Sequence, residues 1–390
     1  MRFWSLSATV LVLAACAGSP PPSPQPSAAQ VSRYGRWAPV VAYLDSAVDH
    51  GAAPGAVVGV SWKGERFYYG TGRLGLKDDT RPDSTTVYDL ASLTKVIGLT
   101  TISMIAVDEG KLDLDAPVQQ YLPEFRGAHK SEVTIRHLLT HSSGLPAWRP
   151  LYTETTTREA ALALADTTPL DTLPGTRFVY SDLGAIVMGQ VIERIYGERL
   201  DTLLHDRVFG PLGMTSTRYL PPASWLPRIA PTEHDPWRGR TLRGEVHDEN
   251  AARLGGVSAH AGLFSDAVDL LTFGEWELSA LDPPAHPVKY AIAPPKSLPM
   301  FVKRQNIPPG SSRALGWDTP SGHSSGGSLI DPHAYGHTGF TGTSIWTDPS
   351  RQLVIVLLSN RVHPTRQNTH WGPVRAGVAD RVIEATESTP

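Results

Sequence analysis

One serine, followed a helical turn later by a lysine at the start of a long apolar segment, most restricts how this chain can fold. Ser92 is the only serine with a lysine three residues on, at Lys95. The apolar run continues to Val107 and is closed by Gly110, which predicts a largely buried helix. Ser92 then lies at the helix N-terminus, where the helix dipole favours developing negative charge. Spacing i, i+3 places both side chains on one face, so a neutral lysine there could take the serine proton. The alternative is a serine that caps the helix and a lysine in solvent.

A second polar motif precedes another apolar helix. Tyr180-Ser181-Asp182 follows the turn signal Pro174-Gly175 and leads into a run that ends near Ile192. A tyrosine at a helix entrance can relay a proton. The alternative is a core tyrosine whose hydroxyl is satisfied internally.

A third motif lies near the C-terminus. Residues 335–348, which include His337-Thr338-Gly339, and residues 352–360 are predicted to be two strands joined by a turn at 348–351. A glycine-rich strand lets a substrate backbone lie close against it. A tight hairpin without a ligand is the alternative.

With these motifs in this order, the chain resembles the serine β-lactamase and low-molecular-mass penicillin-binding protein superfamily, which includes DD-carboxypeptidases and related esterases. Residues 138–146, 246–251 and 255–265 are also similar to segments of that superfamily. The resemblance implies an α/β (α+β) fold of the β-lactamase/transpeptidase type. Its antiparallel, five-stranded-type sheet would be flanked by helices and carry a mostly helical insert.

The resemblance also implies roles for individual residues. Ser92 would be the acylated nucleophile, with Lys95 and Tyr180 as the pair that handles protons. The backbone amides of Ser92 and Phe340 would form the oxyanion hole, since backbone donors stabilise a tetrahedral oxyanion. The expected substrate-binding residues are Asp182, His337, Thr338, Gly339 and Phe340.

Two positions depart from the β-lactamase pattern. Asp182 stands where asparagine is usual, so it would hold Lys95 as an ammonium and shift the role of base to Tyr180. His337 stands where lysine is usual, and an ordinary imidazole is only partly charged near neutrality. It would therefore bind a substrate carboxylate less constantly than lysine, and efficient β-lactam hydrolysis is not expected.

The remaining organisation is predicted at low resolution. Domain boundaries are a signal peptide at 1–15, a lipidated cysteine and Pro/Ser-rich tether at 16–33, and a hydrolase domain at 34–390 with a mostly helical insert at about 96–310. Terminal segments from both ends should build one antiparallel sheet covered by terminal helices. The predicted elements are a helix at 37–50, a hairpin at 56–62 and 66–72, strands at 341–346 and 352–359, and a helix at 373–384.

The N-terminus predicts export. Arg2 precedes a short apolar stretch that ends in Leu13-Ala14-Ala15-Cys16, which resembles a bacterial lipoprotein signal. Lipidation of Cys16, the chain's single cysteine, would anchor the protein in the cell envelope, facing the periplasm or exterior. Secretion with cleavage a few residues later is the alternative.

Composition narrows the function classes. A hydrophobic content of 41%, a charged content of 19% and a net charge of −3 are ordinary for a globular protein and offer no basic surface for nucleic acid. We expect a monomer without cofactors. His234, His247, Asp248, Glu249 and His260 lack the spacing of a metal-binding motif, so no metal is expected.

The sequence is compatible with three functional hypotheses. The first is a serine hydrolase that forms an acyl-enzyme with D-alanyl peptides, β-lactams or small esters. The second takes Gly322-His323-Ser324-Ser325-Gly326 as an α/β-hydrolase nucleophile motif, with Asp348 and His363 or His370 as its partners; that motif requires a strand before it and a helix after it. The third is a non-catalytic peptidoglycan- or penicillin-binding lipoprotein. The motif order favours the first.

Overall fold

Strands from the two ends of the chain form one antiparallel sheet. A computed structural model describes residues 24–282, 290–322 and 324–388. The five strands lie in the order β2-β1-β10-β9-β8. Across the middle of the sheet, Val58 of β1 lies opposite Leu357 of β10. The strands are β1 (Gly55–Trp62), β2 (Glu65–Gly72), β3 (Tyr88–Asp89), β4 (Arg218–Tyr219), β5 (His234–Asp235), β6 (Arg240–Thr241), β7 (Leu263–Ser265), β8 (Tyr335–Thr338), β9 (Ser344–Asp348) and β10 (Leu353–Ser359).

The helices cover the sheet and fill the region between β2 and β8. They are α1 (Ala28–Tyr34), α2 (Ala38–Asp49), α3 (Thr101–Asp108), α4 (Val118–Tyr121), α5 (Ile135–Leu139), α6 (Leu151–Glu154), α7 (Arg158–Thr167), α8 (Asp182–Tyr196), α9 (Leu200–Leu204), α10 (Glu249–Arg253), α11 (Ala267–Leu281), α12 (Leu298–Phe301) and α13 (Gly372–Glu387). Shorter 3₁₀ and π turns join several of them. A second, three-stranded sheet pairs β7 with β3 and with β4.

Both faces of the large sheet are buried, because successive side chains of a strand point to opposite faces and the central strands are largely apolar at consecutive positions. Val58 and Ile355 belong to one core cluster with Trp371 and Val374, at the start of α13. Val57 and Val354 belong to the other cluster, under α11 and the helices of the insert. The sheet is therefore the middle layer of three, as the predicted fold class requires.

The helix that carries Ser92 in its first turn is part of the core. It runs without a break from Ala91 to Asp108 through a 3₁₀ turn and a π-helical stretch, Lys95–Thr100, before α3. Its 18 residues are apolar and long enough for a membrane span, but 78% of them are buried within the protein. Core packing therefore accounts for its apolar character.

Two predictions of local structure were wrong. Residues 335–348 form two antiparallel strands, not one, because the chain reverses between β8 and β9. The Gly339 amide donates to the Thr343 carbonyl there, and Gly342 has a φ of +118°, which favours glycine. The tether predicted for 16–33 ends earlier, because a capping box between Ser27 and Gln30 starts α1. The signal peptide and Cys16 lie outside the described residues.

Candidate active site

The hydroxyl of Ser92 and the amine of Lys95 meet at the start of the core helix. Lys95 Nζ donates a hydrogen bond of 3.1 Å to Ser92 Oγ. Ser92 is partly exposed and lines a cavity of about 1590 Å³, whereas Lys95 is only 2% exposed and lies beneath it. The arrangement presents a hydroxyl to solvent with a hidden amine behind it.

Lys95 is held as an ammonium. Its Nζ lies 2.7 Å from Asp182 Oδ1 and donates to the His260 carbonyl at 3.0 Å. Burial acts to lower the pKa of Lys95, but the contacts with Asp182 and Tyr180 outweigh it, and the pKa is raised above its ordinary value. A charged lysine has no lone pair with which to take the serine proton, so the alternative of a neutral Lys95 is disfavoured.

The Tyr180 phenol lies beside this ammonium. Lys95 Nζ is 4.9 Å from the centroid of the Tyr180 ring, and the Arg313 guanidinium is 5.3 Å from it. The hydroxyl is buried and has no hydrogen-bond partner among the described residues, while the ring lines the same cavity as Ser92. Two cationic side chains therefore lie against the ring of this phenol.

The segment around His141 holds Tyr180-Ser181-Asp182 in place. The Val179 amide donates to the His141 carbonyl at 2.9 Å, and the Ser181 amide donates to His141 Nδ1 at 3.1 Å. Ser181 Oγ caps α8 by accepting from the Gly184 amide at 3.0 Å. Burial, aided by nearby cations, holds the pKa of His141 well below its ordinary range, so the ring is a neutral acceptor.

The end of β8 and the turn after it supply another part of the cavity lining. His337, Thr338, Gly339 and Phe340 all line it together with Ser92. Thr338 pairs with Ser344, and the reversal that follows leaves the Phe340 amide without a partner among the described residues. The Phe340 carbonyl accepts from Arg361 Nε at 2.9 Å, which fixes this peptide unit.

The expectation that His337 titrates near neutrality was wrong. The residue is 4% exposed, and burial together with the charges of Arg313 and Lys95 holds its pKa well below the ordinary value. Its Nδ1 lies 2.8 Å from the Thr338 carbonyl, an acceptor, so the neutral ring donates there. Nε2 is buried and unpartnered among the described residues. His337 therefore offers the site an acceptor and not a cation.

Positive charge comes from arginines that the sequence motifs did not reveal. Arg313, Arg361 and Arg375 line the cavity, and none of them belongs to one of the three motifs. Nε and Nη1 of Arg313 and Nε of Arg375 are buried without hydrogen-bond partners among the described residues. Burial lowers the pKa of Arg375 to about 9, with Arg361 adding to the effect. Buried donors of this kind gain when an anion binds.

Two of the histidines considered as metal ligands contact carboxylates instead. His247 Nε2 lies 2.9 Å from Glu233, and His260 Nε2 lies 2.8 Å from Asp248. Within residues 24–282, 290–322 and 324–388, no three His, Cys, Asp or Glu side chains are grouped as metal ligands would be.

The geometry of an α/β-hydrolase nucleophile is not found around Ser324. In the described part of this region, turns precede β8, so Ser324 does not stand between a strand and a helix. His363 Nδ1 is bonded to the Thr232 carbonyl at 2.7 Å, and Asp348 is paired with Arg351. These two residues do not form a triad with Ser324.

Comparison with known proteins places the chain in a family. The Beta-lactamase family model matches residues 40–380. A Salmonella agona (strain SL483) protein with the provisional name D-alanyl-D-alanine carboxypeptidase is 33% identical over 319 residues, which are 74% of this chain and 72% of that protein. The chain belongs to the Beta-lactamase family, and it is a serine hydrolase.

Solved structures agree on the fold. EstCE1, a hydrolase with promiscuous acyltransferase activity, superposes with a TM-score of 0.69 and 22% identity over 90% of this chain and 100% of that one. A class C β-lactamase from Rhodobacter sphaeroides gives a TM-score of 0.68 and 22% identity over 88% and 99% of the two chains. These similarities confirm the β-lactamase/transpeptidase-type fold.

Proposed function

We propose that this hydrolase acts as a carboxypeptidase on D-alanyl peptides, through an acyl-enzyme at Ser92. The observation that carries the proposal is the Ser92–Lys95–Asp182 arrangement, which opens into a cavity with unpaired guanidinium donors. The provisional name of the Salmonella relative supports the same substrate class. β-Lactams and small esters require the same chemistry and are the competing substrates.

Acylation would use Tyr180 as the base. In its phenolate form, Tyr180 takes the proton of Ser92 Oγ and becomes a neutral phenol, while the Lys95 ammonium stabilises the negative charge that passes to Oγ. Oγ then attacks the peptide carbonyl carbon, and the oxyanion is bound by the backbone amides of Ser92 and Phe340. Collapse of the intermediate breaks the C–N bond. Tyr180 returns its proton to the departing D-alanine amine.

Deacylation would repeat the sequence with water. Tyr180 takes a proton from the water, whose oxygen attacks the acyl carbon, and the second oxyanion occupies the same amides. The Ser92 Oγ–acyl bond breaks, and the proton on Tyr180 returns to Ser92. The peptide leaves as a free acid, and the enzyme is restored.

A substrate carboxylate would be bound by arginine. A D-alanyl peptide ends in a carboxylate, and charge-assisted hydrogen bonds to guanidinium groups are among the strongest that proteins make. Arg313 is best placed for this role because it lies over the Tyr180 ring and has two buried donor atoms, Nε and Nη1, without a hydrogen bond. Its nearest carboxylate, Asp318, is 3.7 Å away. We infer that Arg313 supplies the cation that His337 lacks.

Labelling with a fluorescent penicillin or fluorophosphonate tests the nucleophile. Ser92→Ala should abolish labelling while the protein remains folded, whereas Ser324→Ala, a change in the lining of the same cavity, should leave labelling normal. Label on Ser324 would overturn the assignment.

Substrate class is tested by comparing a D-alanyl-D-alanine peptide with a neutral short-chain ester. Arg313→Ala should lower kcat/KM for the peptide by about 10- to 100-fold, the usual effect of losing a charged hydrogen bond, and leave the ester within about threefold. Equal losses on both substrates would contradict carboxylate recognition by Arg313.

We also propose that the protein is a lipoprotein of the cell envelope. The support is the sequence Leu13-Ala14-Ala15-Cys16 alone. Cys16→Ser should move the protein from the membrane fraction to the soluble fraction. Unchanged fractionation would count against the lipid anchor.

A further inference from the structure

Behind Lys95 lies a second hydrogen-bonded chain. Ser258 Oγ is 2.7 Å from His260 Nδ1, and His260 Nε2 is 2.8 Å from Asp248 Oδ1. The backbone carbonyl of the same histidine accepts from Lys95 Nζ at 3.0 Å. One residue therefore joins a side-chain network to the ammonium beside Ser92.

This chain does not face substrate. His260 is 1% exposed, Ser258 is 4% exposed, and neither lines the cavity. The Ser–His–Asp order resembles a catalytic triad, but a buried serine cannot reach a substrate carbonyl. Its role must act through the residues that it holds.

The loop that carries His260 is fixed on both sides. Before it, the Ser258 carbonyl accepts from the Tyr219 hydroxyl at 2.9 Å. After it, Gly262 has a φ of +122°, and the Leu263 amide donates to Thr94 Oγ1 at 3.1 Å. The exit of the loop is thus tied to the turn between Ser92 and Lys95. Because both flanks of the loop are fixed, the side chain of His260 determines the orientation of its own peptide group.

The same network reaches the other partner of Lys95. Asp248 caps α10, and Asn250 in that helix donates to the Arg149 carbonyl at 2.9 Å. Two residues before Arg149, the Ala147 carbonyl accepts from the Asp182 amide at 2.9 Å. The carbonyl and the carboxylate that hold the ammonium are therefore connected through Asp248.

We propose that His260, held between Asp248 and Ser258, is a positioning residue for acylation: it fixes the carbonyl that, with Asp182, keeps Lys95 against Ser92. The inference depends on the proposed roles of Ser92 and Lys95. A displaced carbonyl would let the ammonium move away from Ser92 and Tyr180. Misplacement of about 1 Å in such a site costs up to about 10²-fold in rate.

The test compares three variants in the full-length enzyme with a neutral ester. His260→Gln and Asp248→Ala should lower kcat per labelled active site by about 10- to 100-fold, with KM within about threefold. Asp248→Asn should retain most of the rate, because its amide oxygen still accepts from His260 and still caps α10. Thermal unfolding gives the stability of each variant. If His260→Gln does not fold, the comparison of Asp248→Ala with Asp248→Asn still tests the proposal.

Coupling to Lys95 separates positioning from general stability. In a Lys95→Ala background, fluorophosphonate labelling is followed over a long period. Adding His260→Gln to that background should lower the labelling rate by less than about twofold. A lowered unfolding temperature with kcat per site unchanged, or the full loss in both backgrounds, would overturn the proposal. If Ser92→Ala retains labelling, the proposed function fails; if labelling is lost and His260→Gln is silent, only this inference fails.

Discussion

Two lysines are buried in the part of the chain that the structure describes, and their surroundings give them opposite properties. Lys95 is 2% exposed and lies 2.7 Å from a carboxylate oxygen of Asp182. Lys130 is fully buried, but its Nζ donates to the backbone carbonyl of Asp166 and lies 4.3 Å from the centroid of the Phe125 ring. Neither a carbonyl nor a ring carries a full negative charge.

The pKa values follow from this difference. Burial lowers the pKa of Lys130 to about 8, and the weak influence of Asp166 does not compensate. The same burial acts on Lys95, yet the Asp182 ion pair reverses the result and raises the pKa. Burial by itself therefore does not make a lysine a base. The carboxylate in place of the usual amide decides that Lys95 is the cation and leaves proton transfer to Tyr180.

Exchange of each lysine for methionine should give the largest contrast. Lys95→Met should lower kcat/KM for a neutral ester by about 10³-fold, because the negative charge that passes from the Tyr180 phenolate to Ser92 Oγ loses its counter-ion. Lys130→Met keeps the aliphatic volume and should change kcat/KM by less than about threefold. Steady-state kinetics at pH 7 measure both. Similar losses of kcat/KM in the two variants would show that the two lysines do not differ in their contribution to the reaction.

Lys130 should make stability depend on pH. Its pKa is about 8 in the folded protein and 10.5 in the unfolded reference, so the unfolded state binds more protons between these values. The free energy of unfolding should therefore rise by about 2 kcal/mol from pH 8 to pH 10. Urea denaturation measures the rise, and Lys130→Met should flatten it. An equally steep rise in that variant would assign the effect to other groups.

Asp182→Asn should make Lys95 behave like Lys130. Without the carboxylate, burial dominates and the lysine pKa falls, so the ammonium is lost at lower pH. We expect the alkaline limb of the kcat/KM profile to move down by at least about one pH unit, with about tenfold lower activity at pH 9 relative to pH 7. Asp166→Asn makes the same charge change beside Lys130 and should leave the pH dependence of kcat/KM unchanged.

His337 extends the comparison to a buried base without a carboxylate. Because its pKa lies well below 6.5, the ring is neutral throughout the range from pH 6 to pH 8. The ratio of kcat/KM for a D-alanyl peptide to that for a neutral ester should therefore stay within about twofold across this range. A ratio that falls several-fold as the pH rises would show that a charged His337 binds the carboxylate.

Local sequence patterns predicted the parts of the structure that depend on neighbouring residues. The apolar run after Ser92 and the turn at Lys63-Gly64 specify their helix and hairpin directly, and both were found. The reversal at Gly339–Thr343 was missed because the sequence pattern of residues 335–348 predicts one glycine-rich strand. Its signal was Gly342, whose positive φ permits the chain to turn back.

Long-range contacts in the site could not be predicted from one sequence. The partners of Lys95 at Asp182 and His260 are distant in the chain, and only the fold brings their oxygens to one nitrogen. The Asp182 contact was anticipated through the family resemblance, whereas the His260 carbonyl, a backbone atom, leaves no sequence signal. The lowered pKa of His337 was missed for the same reason, since burial and the charge of Arg313 are tertiary properties.

The charge of Lys95 is the central claim, and side-chain ¹⁵N NMR of lysine-labelled protein measures it most directly. Signals would be assigned with Lys95→Arg and Lys130→Arg variants and followed from pH 6 to pH 10. We expect the Lys95 Nζ resonance to keep the ammonium shift throughout, while the Lys130 resonance titrates near pH 8. A Lys95 resonance that titrates below pH 8 would show a neutral lysine at the operating pH, and would return the role of base from Tyr180 to Lys95.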